Sequence, residues 1–145
     1  MKKLLLAIML MTATFAVYAQ DHPLWMRFPA ISPDGQTIAF SYKGDIFAVS
    51  ASGGQARQLT TNAAYDAYPI WSPDGSQIVF ASDREGSMDV YIMSCKGGTP
   101  TRLTTHSGNE LPVAFLDNQQ VLFKSSQMPT AQASILPEST FPQIY

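Results

Sequence analysis

Apolar and polar positions divide the chain into one long apolar run and a series of short alternating segments. Apolar residues fill nearly every position from 4 to 17. Later segments alternate, so that in residues 77–82 Ile78 and Phe80 fall on one face of an extended strand and Val79 on the other. Alternation of period two, bounded by Gly and Pro turns, predicts β-strands. The pattern therefore predicts many short strands after one apolar N-terminal segment.

The N-terminal segment has the parts of a secretory signal peptide. Lys2 and Lys3 precede the apolar run, and Val17 and Ala19 place small residues at the two positions that signal peptidase reads. The run is short for a membrane span, and no Cys follows it to carry a lipid. We expect cleavage before Gln20, export to the periplasm or the medium, and no membrane anchor in the mature chain.

A twelve-residue stretch of the mature chain recurs forty positions later, which indicates internal repeats. Residues 29–40 read Pro-Ala-Ile-Ser-Pro-Asp-Gly-Gln-Thr-Ile-Ala-Phe, and residues 69–80 read Pro-Ile-Trp-Ser-Pro-Asp-Gly-Ser-Gln-Ile-Val-Phe. Residues 45–50 then match residues 89–94 at a shift of forty-four, and Gly-Gly and Leu-Thr-Thr follow in both copies. The second copy predicts strands at the following positions: 67–72, 77–82, 89–94 and 101–104.

A third copy is weaker. Residues 112–123 align with residues 69–80 at a shift of forty-three, with Asn118 in the place of Gly75. Since Asn is the residue other than Gly that most readily adopts a left-handed conformation, we expect Asn118 to have a positive φ.

The end of the third copy is predicted to be incomplete. A loop over residues 127–141 separates its second strand from residues 143–145, which align with the start of residues 89–94.

Four antiparallel strands in about forty residues are typical of a β-propeller blade. A sandwich or a barrel gives no reason for a turn sequence to repeat at a fixed interval. We therefore predict an all-β fold, a partial propeller of about two and a half blades. The signal peptide, lead-in segment, first blade, second blade and incomplete third blade are expected at these positions: 1–19, 20–28, 29–66, 67–109 and 110–145.

Propellers close with 4–8 blades, which is more than these repeats supply. An open row of blades leaves apolar faces uncovered at both ends. We therefore expect a fragment of a longer protein, with self-association possible through the exposed blade faces.

The repeat resembles a known family. The motifs Pro-x-Trp-Ser-Pro-Asp-Gly at 69–75, Ile-Val-Phe-x-Ser-Asp-Arg-x-Gly at 78–86 and Asp-Val-Tyr at 89–91 are similar to the WD-like propeller repeats of TolB and of tricorn-type proteases. Three features resemble the start of tricorn-like peptidases more closely than TolB-like proteins. They are the early position of the first repeat and the sequences at 24–29 and 123–126.

The resemblance implies the non-catalytic N-terminal propeller of an exported tricorn-like serine peptidase, which gates or presents peptides to a downstream catalytic domain. The alternative is a TolB-like periplasmic propeller that binds proteins and has no enzymatic activity. A propeller fused to a prolyl-oligopeptidase-type or amidohydrolase domain is a third, weaker alternative. The peptidase family's serine nucleophile and its His and Glu partners match no position of this chain, and peptides or unfolded protein are the implied partners.

No catalytic, cofactor or metal site is predicted from the residues themselves. The chain lacks a Gly-x-Ser-x-Gly elbow, a His-Glu-x-x-His helix and a phosphate-binding glycine loop. His22 and His106 are far apart in sequence and have no second ligand at a short spacing. Ser107 follows His106 in a loop rather than in the geometry of a nucleophile and its base. Cys95 is interpreted as a strand residue rather than a reactive thiol.

Several acidic positions are interpreted as structural. Asp34, Asp74 and Asp117 recur at the same turn position, which favours carboxylates that accept backbone N–H bonds over a calcium site. Asp66 and Asn109 lie three residues before a proline, and we expect them to form hydrogen bonds between blades. The segment 83–86, Asp-Arg-Glu-Gly, is interpreted as an exposed hairpin with weak local charge pairing.

Charge changes the expected partners. Cleavage before Gln20 would remove Lys2 and Lys3 and leave 7 basic and 11 acidic side chains, a net charge of −4. A weakly acidic chain without a basic cluster argues against nucleic acid as a partner.

Overall fold

The structure, a computed structural model, describes residues 25–126 and the backbone of residues 133–137. The predicted signal peptide, His22 and the predicted strand at 143–145 lie outside these residues. Within them there is no helix, and consequently none with the length and apolar character needed to cross a bilayer. The all-β expectation is confirmed.

The strands of the described residues form three antiparallel sheets in chain order, two of four strands and one of three. The strands of the first sheet are β1 (Arg27–Ile31), β2 (Thr37–Tyr42), β3 (Asp45–Ser50) and β4 (Arg57–Gln58). Those of the second are β5 (Asp66–Trp71), β6 (Gln77–Ser82), β7 (Asp89–Ser94) and β8 (Thr101–Arg102). Those of the third are β9 (Glu110–Phe115), β10 (Gln120–Ser125) and β11 (Ala133–Pro137).

Alternation along the strands gives each sheet two apolar faces, and successive sheets pack face to face. One core cluster joins the first and second sheets. Its members are Ala39, Ile46, Ala48, Leu59, Ile78, Phe80, Tyr91 and Met93. A second cluster uses the opposite face of the second sheet and joins it to the third. Its members are Val79, Val90, Ile92, Leu103, Val121 and Phe123. The second sheet is therefore covered on both faces, as the middle blade of a propeller should be.

The two Ser-Pro-Asp-Gly turns are structurally equivalent, as the repeat predicts. Gly35 and Gly75 both have a φ of 71°, and each donates its N–H to the carbonyl oxygen of Ser32 or Ser72 at 2.9 Å. A side chain would be strained at this φ, which explains why Gly recurs at both positions.

The third sheet corrects the predicted alignment. Glu110 pairs with Ser125 as Asp66 pairs with Ser82, and Phe115 pairs with Val121 as Trp71 pairs with Ile78. The shift along β9 is therefore forty-four throughout, so the alignment of the two prolines was wrong by one residue. The deleted residue lies instead in the turn between β9 and β10.

The shorter turn also overturns the prediction for Asn118. This residue does not have a positive φ, unlike Gly75. Its side-chain oxygen accepts a hydrogen bond from the backbone N–H of Asp74 at 3.1 Å. Asn118 therefore links two sheets rather than replacing a turn glycine.

The predicted loop over residues 127–141 is wrong in one respect. The backbone of Ala133–Pro137 forms β11, which pairs antiparallel with β10 over five residues, from Gln120 opposite Pro137 to Lys124 opposite Ala133. The third strand thus lies inside the predicted loop. Its sequence, Ala-Ser-Ile-Leu-Pro, lacks the initial Asp and the aromatic residue two positions later by which the third strand was recognised in the first two copies.

Candidate functional site at the hairpin edge

The hairpins between the second and third strands lie at one end of each sheet, which we call the hairpin edge. At this edge the same contact between neighbouring sheets occurs twice. The N–H of Asp66 donates to the carbonyl oxygen of Gly44 at 2.7 Å, and the N–H of Glu110 donates to that of Met88 at 2.6 Å. In each case the hairpin between the second and third strands of one sheet accepts the first amide of the next sheet. We call the polar groups around these two contacts the first junction (Asp45, Gln58, Thr60, Asp66 and Arg84) and the second junction (Asp89, Arg102, Thr104 and Glu110).

The first junction is built around an ion pair between Arg84 and Asp66. Arg84 Nη2 lies 2.9 Å and 3.0 Å from the two carboxylate oxygens of Asp66. Arg84 Nε also donates to Ser82 Oγ at 2.9 Å, and the guanidinium lies 4.6 Å from the ring centroid of Tyr91. The Asp66 side chain is fully buried and that of Arg84 is 13% exposed. Hydrogen bonds and an aromatic face thus hold the cation where the buried carboxylate requires it.

Asp45 is the second carboxylate of this junction. Its two oxygens accept hydrogen bonds from Thr60 Oγ1 at 3.1 Å and Gln58 Nε2 at 2.9 Å. Burial raises the pKa of Asp45, and the nearby negative charge of Asp66 acts in the same direction. Thr60 Oγ1 also accepts the N–H of Ile46 at 2.9 Å, which fixes the start of β3.

The second junction repeats the scaffold with different side chains. Thr104 Oγ1 accepts the N–H of Val90 at 2.9 Å, as Thr60 does for Ile46. Arg102 Nη2 lies 2.7 Å from Asp89 Oδ2, and this arginine stands where the first junction has Gln58. The cation of the second junction therefore sits on the outermost strand and not in the hairpin.

Most buried polar atoms that lack a protein partner gather at the second junction. Three of the five such atoms in the described residues belong to this junction: Asp89 Oδ1, Arg102 Nε and Glu110 Oε2. The other two are Tyr91 Oη and Ser41 Oγ. Burial raises the pKa of Asp89, with Glu110 adding a smaller effect of the same sign, and burial also raises the pKa of Tyr91.

A cavity of about 570 Å³ opens beside the first junction. Its walls combine aromatic side chains with charged ones on β1, the β2–β3 hairpin and the loop before β5. The lining includes Trp25, Arg27, Tyr42, Lys43, Asp45 and Tyr65. Two cations stack on rings of the same wall, with Arg27 5.6 Å from the Trp25 centroid and Lys43 5.3 Å from that of Tyr42. This arrangement offers apolar surface and fixed charge to an extended ligand.

The turn carboxylates lie at the opposite edge, and their predicted role is confirmed. Asp34 Oδ1 accepts from the N–H of Gln36 at 3.0 Å, Asp74 Oδ1 from that of Ser76 at 3.0 Å, and Asp117 Oδ1 from that of Gln119 at 2.7 Å.

The first two turn carboxylates also have shifted titration. Hydrogen bonds from Ser32 and the N–H of Gln36 lower the pKa of Asp34, and those from Ser72 and Ser76 lower the pKa of Asp74.

The predictions for Asp66 and for the segment 83–86 need correction, and the prediction for Asn109 does not. The side chain of Asp66 pairs with Arg84 of its own sheet, and only its backbone N–H reaches the neighbour. Asn109 does link sheets, because its Oδ1 accepts from the N–H of Met88 at 3.1 Å.

The segment 83–86 is not simply an exposed hairpin, since Arg84 folds back into the first junction. The family motif at residues 78–86 contained this arginine, but nothing in the sequence placed it against Asp66, which lies eighteen positions earlier.

The remaining candidates occupy structural positions. His106 Nδ1 accepts the N–H of Gly108 at 3.3 Å, and the His106 carbonyl oxygen accepts from Ser87 Oγ at 3.2 Å. The prediction that Cys95 is a strand residue is wrong, because β7 ends at Ser94 and Cys95 lies in the turn that follows. Cys95 is half-buried and packs against the first core cluster. In the part of the chain that the structure describes, no three His, Cys, Asp or Glu side chains are grouped to hold a metal ion.

The family profile of the tricorn protease N-terminal beta propeller domain matches residues 23–136. Tricorn protease homolog 1 of Streptomyces coelicolor is 32% identical over 82 residues, which are 57% of this chain and 8% of that protein. The chain therefore spans less than a tenth of the length of this curated relative.

Solved structures share the fold. The crystal structure of TolB from Acinetobacter baumannii superposes with a TM-score of 0.65 at 25% identity, over 81% of this chain and 31% of that one. The crystal structure of the tricorn protease gives a TM-score of 0.70 at 18% identity, over 83% of this chain and 13% of that one. These similarities identify the row of sheets as part of a β-propeller.

Proposed function

Because the chain belongs to the family of tricorn protease N-terminal β-propeller domains, we propose that it is the non-catalytic propeller portion of an exported tricorn-like serine peptidase. In this role it gates or presents peptides to a catalytic domain on a longer polypeptide. The observation that carries the proposal is the family match over residues 23–136, a range that contains all of the described strands except Pro137, the last residue of β11.

The cavity beside the first junction supports a role in contacting peptides. An extended peptide presents apolar side chains and unpaired backbone groups. Trp25, Tyr42 and Tyr65 offer rings for the former, and Arg27 and Lys43 offer donors for the latter.

Binding without turnover is the expected behaviour of the mature chain. Residues 20–145 are purified and mixed with fluorescent unstructured peptides, and anisotropy and mass spectrometry report binding and cleavage. We expect saturable binding that weakens at least several-fold in Tyr65→Ala and not in Gln55→Ala, an exposed control away from the cavity. Peptide hydrolysis that disappears in Ser107→Ala would contradict the non-catalytic role. Equal peptide affinity of Tyr65→Ala and Gln55→Ala would contradict binding at the cavity.

A TolB-like propeller that binds folded proteins is the second candidate. The superposition on TolB from Acinetobacter baumannii at 25% identity favours it. The same anisotropy assay separates the two candidate functions when an unlabelled protein competes with the fluorescent peptide. Loss of peptide signal on addition of unfolded casein supports the peptidase role, whereas a preference for folded periplasmic proteins supports the second candidate.

Export is part of the proposal. It rests on Lys2, Lys3 and the Val17-Tyr18-Ala19 site in the sequence. N-terminal sequencing of the accumulated protein should begin at Gln20, and a retained Met1 would contradict export.

A further inference from the structure

The cavity beside the first junction carries two cations that have no acidic partner among the described residues. Arg27 lies on one wall, at the start of β1, and Lys43 lies on another, in the turn between β2 and β3. The ion pairs of the described residues are those of Arg84 and Arg102 in the two junctions. The cavity therefore presents positive charge that no described carboxylate neutralises.

Asp45 is the acidic side chain of the described cavity lining, and it does not balance these cations. Its two oxygens accept hydrogen bonds from Thr60 Oγ1 and Gln58 Nε2, so its carboxylate is engaged within the first junction. In a chain with a net charge of −2, the cavity is thus a local excess of positive charge, which attracts negative groups.

Aromatic rings hold both cations in place. Arg27 lies over the Trp25 ring and Lys43 over the Tyr42 ring. The other contacts of this kind among the described residues belong to Arg84, whose charge is already paired. A cationic side chain that is ordered by a ring loses less conformational freedom when a ligand binds.

The backbone of the cavity wall is strained at two of these positions. Lys43 and Gly44 form the two-residue turn between β2 and β3, with φ values of 52° and 91°. A turn with a positive φ at both positions favours Asn or Gly at the first, where this chain has Lys. Trp25 has a φ of 78°. Strain of this kind concentrates at ligand sites, and here it falls on one cation and on the ring that holds the other.

Contacts among the described residues fix the walls of the cavity. The bond from the N–H of Asp66 to the Gly44 carbonyl oxygen ties the turn to the second sheet. The N–H of Tyr65 donates to Asp83 Oδ1 at 2.7 Å, which holds the loop that leads to the second sheet. The cavity therefore lies at the hairpin edge, between the first sheet and this loop.

We propose that the cavity selects acidic peptide segments in which two carboxylate side chains pair with Arg27 and Lys43 and an apolar side chain between them packs on Tyr65. The inference rests on the proposed contact with peptides and adds the class of peptide. Two cations on separate walls require two negative groups, whereas the C-terminus of a peptide supplies one. The Arg27 fork can bind a carboxylate through two hydrogen bonds, and Lys43 binds as a point charge.

The experiment compares two fluorescent peptides of equal length by anisotropy with residues 20–145. One contains Glu-Leu-Glu and the other Gln-Leu-Gln, and both end in an amide. We expect the Glu peptide to bind at least several-fold more tightly at low ionic strength, and added salt should reduce the difference because it screens the charges.

Lys43→Asn and Arg27→Gln should each remove most of this preference, whereas Lys96→Asn should keep it. Lys96 is an exposed lysine in the turn after β7, at the edge opposite the cavity, so its replacement is a matched loss of charge. Lys43→Asn should be at least as stable as the wild type, because Asn readily adopts a positive φ. Urea denaturation then separates lost binding from lost folding, and Arg27→Gln carries the test if Lys43→Asn fails to fold.

Four outcomes would overturn the proposal. Equal affinity for the two peptides, with both weakened by Tyr65→Ala, would refute the acidic preference and leave the proposed peptide contact standing. Binding of neither peptide would refute both. A Gln peptide with a free C-terminus that binds as tightly as the amidated Glu peptide would show that one terminal carboxylate suffices. An equal loss of preference in Lys96→Asn would assign it to the net charge of the protein and not to the cavity.

Discussion

The two junctions share a backbone scaffold and differ in how they neutralise buried carboxylates. In the first, Arg84 from the hairpin pairs with both oxygens of Asp66. In the second, Glu110 takes the place of Asp66, and its Oε2 has no protein partner. The available cation, Arg102, is 29% exposed and pairs with Asp89 instead.

The two junctions thus share their backbone contacts more strictly than the charges around them. The amide of the first residue in β5 and β9 reaches the preceding hairpin in the same way. Because a buried carboxylate oxygen without a hydrogen-bond partner is costly, the second junction should be the less stable of the two.

Arg84→Met should have the largest effect. It leaves the fully buried carboxylate of Asp66 without its cation, which costs about 3–5 kcal/mol of unfolding free energy. Urea denaturation measures the loss. The matched change in the second junction, Arg102→Met, should cost less because Arg102 is more exposed. Equal losses would show that the two ion pairs contribute alike.

The double variant Asp66→Leu with Arg84→Met separates charge from packing. Removing both partners should recover most of the stability lost in Arg84→Met, since no unpaired charge remains. A double variant as unstable as the single one would assign the effect of Arg84 to its contact with the Tyr91 ring instead.

Glu110→Gln should stabilise the protein by about 1 kcal/mol, whereas Asp66→Asn should destabilise it. An amide can donate a hydrogen bond where the carboxylate oxygen of Glu110 only accepts, and the change also removes a buried negative charge. At the first junction the same kind of change breaks a satisfied ion pair. Thermal unfolding of both variants at neutral pH gives the sign of each change in stability. A destabilised Glu110→Gln would indicate that Glu110 has an effective partner.

Asn118→Ala should cost about 1 kcal/mol, the typical value of one hydrogen bond between protein groups. It removes the acceptor for the N–H of Asp74 and so weakens the contact between the second and third sheets at the turn edge. Asn62→Ala is the control, because Asn62 Oδ1 accepts only from the N–H of Ala64 within its own loop. Similar losses of stability in Asn118→Ala and Asn62→Ala would show that the Asn118 hydrogen bond does not strengthen the contact between the two sheets.

Sequence reasoning recovered the parts of the fold that depend on local pattern. Alternation and the Ser-Pro-Asp-Gly turns predicted β6 and β7 to the residue. It failed where one residue was deleted from a turn, because Pro112 offered a false match to Pro69 and shifted β9 by one position. The Ala133–Pro137 strand was missed because it lacks the repeat motif.

The candidate site was less predictable than the fold. The backbone amide of Asp66 and the side chain of Asn109 do cross between sheets, but the Arg84 pair depends on a hairpin folding back over Tyr91. That contact joins residues whose spacing in sequence carries no signal. Buried charge pairs of this kind are set by tertiary packing, which a linear pattern does not encode.

The pH dependence of stability should differ between the turn edge and the second junction, and it is the smallest expected effect. Hydrogen bonds lower the pKa of Asp34 and Asp74 below the unfolded value. Their contribution to stability is therefore present above the unfolded pKa and is lost as the pH falls through the folded pKa. Asp89 has the opposite sign, because burial raises its pKa. Its contribution is present below the unfolded pKa and is lost as the pH rises through the folded pKa.

Carboxyl NMR titration of the folded chain measures these shifts directly, and urea unfolding across the acid range measures their effect on stability. Asp74→Asn should flatten the loss of stability at acid pH, whereas Asp89→Asn should flatten the opposing change. The exposed turns are screened by solvent, so the first effect should be small beside that of Arg84→Met. An unfolding profile unchanged by Asp74→Asn, together with an unshifted Asp74 titration, would mean that the turn hydrogen bonds favour neither protonation state. The turn edge would then be held by Gly75 and Asn118 rather than by its carboxylates.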